Sequence, residues 1–354
     1  MEYGAFYEEY GQPLSGRKKE KVTAFLHRAG LDYDEGVEYT ASLVTNQGEI
    51  AATGSLQQNI LKCIAVDDQY QGLGLSSKIV TLLLNQALSQ GHKHIFLFTK
   101  PKNRAMFADL GFYPIVETED ILFMENIQNG IGRYVGSLAN PQPSQTENKT
   151  IGAIVANCNP FTNGHRYLIE TAAAQCGVLH LFILSEDKSL FPAQVRYSLA
   201  QQGTADLTNV VLHPTSDYLI SSAVFPTYFM KDKARAQDAN CELDLHIFCQ
   251  YFAKELGITK RFVGTEPFCR VTGAYNEAMK KILPQYGIEL VEIPRKLWEG
   301  RAISASQVRQ CMAVGDFEKI RSMVPPATME YILSPQGQQL ALRLREGEGG
   351  PAHE

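Results

Sequence analysis

The stretch Ile151–Glu170, IGAIVANCNPFTNGHRYLIE, constrains this chain more than any other. The apolar run Ile151–Ala156 reads as a buried parallel strand. It feeds a tight polar loop, Asn157–Gly164, and then a helix starting near His165 with apolar residues at helical spacing. A strand-to-helix turn of this kind aims free backbone N–H groups and the positive end of a helix dipole at one point, which suits phosphate. Gly164 would let a phosphate come close to the backbone, and Thr162 and His165 can donate hydrogen bonds to its oxygens. A second element lies far downstream, Ile303–Arg309, ISASQVR. Ser304 and Ser306 are good helix starters, and Arg309 one turn further in can fork onto terminal phosphates. Taken alone, that element reads equally well as a capped surface helix with a solvated arginine. Taken with Thr162–His165, it reads as the other half of a nucleotide site.

The pattern around these elements is α/β. Strands are expected at Ile151–Ala156, Val178–Leu184, Val210–His213, Arg261–Gly264 and Glu289–Ile293, alternating with helices as in a parallel sheet. Residues 1–128 form a different domain, of α+β character. Helices are expected at Lys18–Ala29, Leu75–Gln90 and Asn103–Leu110. A hairpin is expected around Asn46–Gly48 (strands Val37–Thr45 and Glu49–Leu56), with further strands at Ile60–Val66 and Ile95–Thr99 and a final strand pair after Gly111-Phe112. Residues 129–149, rich in Gly, Asn, Pro, Ser and Gln, read as a linker, 150–334 as the second domain, and 335–354, ending EGEGGPAHE, as a disordered tail.

Composition narrows the function classes. A net charge of −5 argues against a nucleic-acid coat or a polybasic membrane surface. No apolar run approaches membrane-spanning length, and the polar N-terminus has no signal-peptide core. Seven scattered cysteines without a C-x-x-C pair are reduced, cytoplasmic usage. No H-x-x-x-H ligand set is present, and His92 and His94 read as edge residues. Cys158 reads as a small core residue, and Trp298 as packing. Asp244-x-His246 reads as helix or loop contacts ahead of a metal or relay pair. Arg270, Arg295 and Lys296 fall near strand ends, where meeting phosphate and being solvated are equally good readings.

Three resemblances rest on these residues. Thr162–His165 and Ile303–Arg309 resemble the H/T-x-G-H and I-S-x-S/T-x-x-R elements of the H/T-x-G-H nucleotidyltransferase superfamily, which implies a Rossmann-like parallel sheet. Gln69-x-x-Gly72-x-Gly74, at a strand-to-helix junction, resembles the acyl-CoA pyrophosphate loop of GNAT-type acetyltransferases, with Asn103, Ala105, Phe107 and Gly111-Phe112 falling where that fold's second motif would. Phe107 stands where that family commonly has the tyrosine that protonates a departing thiolate. The domain is therefore expected to hold a CoA-like arm through Gln71, Gly72 and Gly74 and not to acetylate amines.

The combination, with the strings SEDKSLFPAQVR and VGTEPFCRVTGAYNEAMKKIL, resembles the citrate lyase ligase family over nearly the whole chain. That resemblance implies ATP-dependent acetylation of a carrier-subunit thiol by way of acetyl-adenylate, with acetate as substrate and Mg²⁺ as counter-charge. It implies His165 and Thr162 on the α- and β-phosphates and Arg309 on the leaving pyrophosphate. Ser304 and Ser306 would hold the terminal phosphates, Asn159, Phe161 and Gly164 would form the loop, and Gly264 and Glu266 the nucleoside rim. Two other readings stand beside it: an adenylyltransferase acting on a phosphopantetheine-like molecule, and a non-catalytic nucleotide- and CoA-binding module.

Overall fold

Seven strands of the N-terminal half pair in the order β1-β2-β3-β4-β5-β7-β6: β1 (Tyr7–Gly11), β2 (Tyr39–Val44), β3 (Ile50–Gln57), β4 (Ile60–Val66), β5 (Phe96–Thr99), β6 (Tyr113–Glu117) and β7 (Leu122–Glu125). The computed structural model describes residues 6–141, 149–186, 189–219, 228–230, 232–266 and 270–346. Packing divides the chain into two units, residues 1–133 with 225–243, and residues 134–224 with 244–354. Among the described residues no helix is long and apolar enough to cross a membrane.

In the first unit every neighbouring pair of strands is antiparallel except β4 and β5. These two are paired only at Ile60–Phe96 and Leu61–Leu97, and beyond that point they part. The parting accompanies a bulge: β4 spends an extra residue opposite Gly54, with Cys63 at φ 52°. Gly54 itself is glycine for space, since a Cβ there would lie 2.6 Å from Ile79 of helix α2 (Leu75–Ser89). Helices α1 (Gly16–Arg28) and α3 (Arg104–Asp109) complete the expected elements. Strand β1 was not expected: four of its five residues are exposed, so it carries none of the alternation that marks a half-buried strand. His94, just before β5, is tied to the buried Glu125 of β7 at 2.7 Å.

The second unit holds five parallel strands in the order β10-β9-β8-β11-β12: β8 (Ile151–Ala156), β9 (Val178–Ile183), β10 (Val210–Pro214), β11 (Lys260–Gly264) and β12 (Glu289–Ile293). The order reverses between β8 and β11, the switch point at which such sheets bind ligands beyond their carboxyl ends. Its helices include α5 (Asn163–Ala173) and α6 (Ala193–Gly203), while α4 (Gly130–Gly136) and α7 (Lys233–Ile247) each straddle the boundary between the two units in the chain. Helix α7 runs on through a π-helical segment, Phe248–Ala253, into α8 (Lys254–Leu256). Helix α9 (Arg270–Ile282), a small hairpin of β13 (Leu297–Trp298) and β14 (Arg301–Ala302), and four closing helices follow: α10 (Ala305–Val314), α11 (Phe317–Met323), α12 (Pro326–Leu333) and α13 (Pro335–Arg345).

Three expected boundaries differ from what is seen. The expected linker opens with helix α4, because Ile131 and Val135 are apolar residues at helical spacing that find burial; residues 142–148 lie outside those described. Residues 225–243, expected in the second domain, group with the first unit: Tyr228 donates its hydroxyl to the Phe98 carbonyl, and Arg235 pairs with Asp120. The expected disordered tail begins with helix α13, capped by Ser334 and anchored by buried Leu340 and Ala341; residues 347–354 are not described.

The core of the second unit contains a polar pair. His180 of β9 and His213 of β10 meet at 2.8 Å beside Phe182, and burial pushes both imidazoles down to about 4. A histidine that stays neutral when folded but protonates near 6.5 when unfolded makes the unfolded chain the better proton binder between those values. Stability therefore falls as pH drops from about 6.5 toward 4, with a limiting slope for two protons of about 2.7 kcal/mol per pH unit. Urea titrations across this window should show that decline, and His213→Gln should flatten it. An unchanged slope in the variant would count against the pair as its source.

Candidate active site

Strand β8 ends at Ala156, and its chain turns through Asn157–Phe161 to deliver Thr162 as the N-cap of α5. The cap is reciprocal. His165 N–H donates to Thr162 Oγ1 at 3.3 Å, and Thr162 N–H donates to His165 Nδ1 at 3.0 Å. An Nδ1 that accepts a backbone N–H carries a lone pair, so a neutral His165 bears its proton on Nε2. The imidazole is thus locked as a donor beside the helix N-terminus.

Ser304 opens α10 with the same device, its Oγ accepting from Gln307 N–H at 3.2 Å. Two helix N-termini from distant parts of the chain, α5 and α10, therefore face one cavity of about 240 Å³. It is lined by Thr162, Gly164, His165, Ser304 and Arg309 among others, and none of the described residues that line it is acidic. The halves are clasped directly. Arg309 Nη1 donates to the Asn159 carbonyl and Nη2 to Ser306 Oγ at 3.1 Å, while Asn163 Nδ2 donates to the Ser322 carbonyl at 3.1 Å. A Cβ on Gly164 would stand 3.0 Å from the Ile303 carbonyl oxygen. A side chain there would need the neighbouring chain to give by a few tenths of an ångström, a constraint that stands beside the expected one of a ligand's approach.

The other expected residues divide. Asn159 and Gly264 line the cavity, and Asn159 keeps its Nδ2 buried without a hydrogen-bond partner among the described residues. Phe161 does not line it: the ring is fully buried under the loop, against Gly203 and stacked on His165. Ser306 is not on the wall either and serves as the acceptor that orients Arg309. Glu266 is drawn away from the expected rim by Arg295, which it binds, while Arg295 and Lys296 line the cavity. Arg270 has no described side chain. Cys158 is a core thiol pushed up to about 12 by burial. Asp244 and His246 are engaged by different tyrosines, Tyr275 and Tyr286. Trp298 packs at the margin of the core.

Two arginines escaped the sequence reading. Arg196, fully buried on α6, donates to the carbonyls of Phe191, Asn157, Leu184 and Glu186 and to the Asn157 side chain, so it ties the 184–191 loop to the phosphate-facing loop. Arg261 sits inside β11, where an apolar residue is the rule. A charged residue within a short strand pattern was the available signal in KRFVG.

In the first unit, the parting of β4 and β5 opens a cleft of about 560 Å³, lined by Ile64, Val66, Phe98, Asn103 and Phe107 among others. Gln71 lines it and also donates to Asp68 at 2.7 Å. Gly72 and Gly74 stand at the start of α2 with φ of 82° and 71°, a left-handed backbone that glycine adopts without strain and that points successive N–H groups outward. They are not on the cleft wall itself. Phe107 is buried against Phe112, so this position offers no proton. Tyr228, which also lines the cleft, donates its hydroxyl to the Phe98 carbonyl at 3.2 Å.

Comparison with known proteins agrees with both halves. The model for the citrate lyase ligase C-terminal domain matches residues 151–332, and that for the GNAT acetyltransferase family matches residues 5–112. Citrate (pro-3S)-lyase ligase of Escherichia coli K12 is 42% identical over 322 residues, covering 89% of this chain and 90% of the relative. The ligases of Klebsiella pneumoniae, at 41% with 93% of the relative covered, and Haemophilus influenzae, at 38% with 95% covered, are similar over the same 89% of this chain. With that much identity spread over both domains, the chain belongs to the citrate (pro-3S)-lyase ligase family.

Proposed function

We propose that the protein acetylates the thiol prosthetic group on the acyl-carrier subunit of citrate lyase, using acetate and ATP and passing through acetyl-adenylate. Acetate is a poor electrophile because its carboxylate repels nucleophiles and has no leaving group. Attack of an acetate oxygen on the α-phosphorus of ATP breaks the Pα–O–Pβ bond and releases pyrophosphate. The carrier thiolate then attacks the acetyl carbon, and AMP leaves with the oxygen that acetate contributed. Both steps depend on positioning and charge stabilisation more than on covalent help from the protein.

The observation that carries this reading is the 42% identity to the Escherichia coli ligase over 89% of the chain, joined to a cavity where two capped helix N-termini, His165 and Arg309 converge. His165 Nε2 and Thr162 would serve the α- and β-phosphates. The Ser304 turn would hold the terminal phosphates, and Arg309 the leaving pyrophosphate. Asn159 Nδ2, buried and unmatched, suits an acceptor brought in by the nucleotide. Mg²⁺ would enter with the triphosphate as counter-charge, since the described residues of the cavity wall offer no carboxylate. Gln71, Gly72 and Gly74 would hold the phosphates of the prosthetic arm.

The test is ATP–pyrophosphate exchange by the full chain with Mg²⁺ and either acetate or phosphopantetheine. Exchange is expected with acetate, and [¹⁸O]acetate should leave one labelled oxygen in AMP once carrier thiol is added. Exchange with phosphopantetheine alone would replace the ligase reading by nucleotidyl transfer to a small molecule.

A further inference from the structure

Arg261 poses a problem that the proposed roles leave unsolved. It lies on β11 opposite Ala153 of β8 and Leu290 of β12, in the interior of the sheet. Its residue is 3% exposed, and its guanidinium lies over the Phe248 ring at 4.4 Å. Nε and Nη1 are buried with no hydrogen-bond partner among the described residues. Burial lowers its pKa, yet an arginine keeps its charge in proteins. A cation held this way, with donors unmatched, has lost its hydration and gained little in return. The nearest carboxylate influence is Asp244, whose oxygen accepts the Tyr275 hydroxyl. What Arg261 does reach is the wall of the cavity that also contains His165 and Arg309.

We infer that Arg261 is the subsite for the carboxylate of the acyl substrate. The inference deepens the ligase reading above and rests on it. Three features favour a short monocarboxylate over a further phosphate. The Asp244 charge in the same neighbourhood raises the cost of a polyanion more than that of a single charge. Phosphate has its own donors at the two helix N-termini. Met279 and Ile154, each 1% exposed and part of the cavity wall, provide apolar surface for a methyl group.

The guanidinium binds one carboxylate oxygen and leaves the other to attack the α-phosphorus. In the mixed anhydride the bound oxygen is the acyl carbonyl oxygen. When the thiolate sulfur bonds to the acyl carbon, negative charge develops on that oxygen against a fixed cation. The C–O bond to AMP then breaks, and the carbonyl re-forms in the thioester. One side chain thus orients the first step and stabilises the second.

The experiment measures acetate-dependent ATP–pyrophosphate exchange by wild type, Arg261→Lys and Arg261→Met, each varied in acetate and separately in ATP. Arg261→Met should raise the KM for acetate at least twentyfold and Arg261→Lys about fivefold, with the KM for ATP within twofold of wild type. Added guanidinium chloride at low millimolar concentration should recover part of the Arg261→Met loss. Circular dichroism confirms folding, and if the methionine variant does not fold, the lysine variant decides alone. A KM for acetate within twofold of wild type in the folded variants would overturn the inference, as would equal rises for acetate and ATP. Absence of acetate-dependent exchange in wild type would instead overturn the ligase reading beneath it.

Discussion

Replacing His165 by alanine is expected to reduce acetate-dependent ATP–pyrophosphate exchange by about 10²–10³-fold, the usual scale for one preorganised donor removed from developing charge. The structure gives the reason this histidine is hard to substitute. Its Nδ1 is consumed by the Thr162 N–H, so the ring is held in one tautomer with Nε2 as donor. The same substitution removes half of a capping box, at about 1 kcal/mol. A melting curve separates the two effects: the fold should soften slightly while turnover collapses. Full exchange by a folded His165→Ala protein would remove this residue from the phosphate site and weaken the case for catalysis in this cavity.

Arg196→Ala should be the most damaging single change to the fold of the second unit. Five hydrogen bonds radiate from one fully buried guanidinium, four of them to backbone carbonyls. Deleting the donor strands those carbonyls in the interior at about 1–3 kcal/mol for each that water does not reach, so a loss of about 4 kcal/mol or more is expected. For a domain of this size that lowers Tm by roughly 10 °C. Arg196→Lys keeps the charge but has three donors on a flexible stem and no planar fork, so it should recover less than half of the loss. Thermal and urea unfolding of the two variants provide the check; a change under about 1 kcal/mol in Arg196→Ala would show that the 184–191 loop is held by other means.

How much of this was legible in the sequence follows from physical locality. The five strands of the parallel sheet were readable within one residue at each end because each carries a short apolar stretch set between helical segments. The helix start at Ser304 was readable because capping chemistry is local, whereas α5 starts at Asn163, two residues before the expected start near His165, with Thr162 as its cap. The crowding at Gly164 was not readable, since the atom that presses on a side chain there belongs to Ile303, distant in sequence. Phe161, Ser306 and Glu266 were placed on the site by proximity to motifs, but each is turned to a neighbour: the Gly203 backbone, Arg309 and Arg295. Arg196 is invisible to periodicity because most of its partners lie on other elements, and Arg261 showed only as a charge within a short strand pattern. Helix α13 was hidden by the glycine-rich string that follows it, and β1 by its exposure.

The contact between Gly164 and Ile303 also limits how this protein can vary. The atom that crowds position 164 is a backbone oxygen, so no exchange of side chain at 303 relieves it. An alanine at 164 has to push the two helix starts apart by a few tenths of an ångström, and with them the donors that act together. A side-chain exchange at 303 therefore brings no relief, which has to come from movement of the backbone itself.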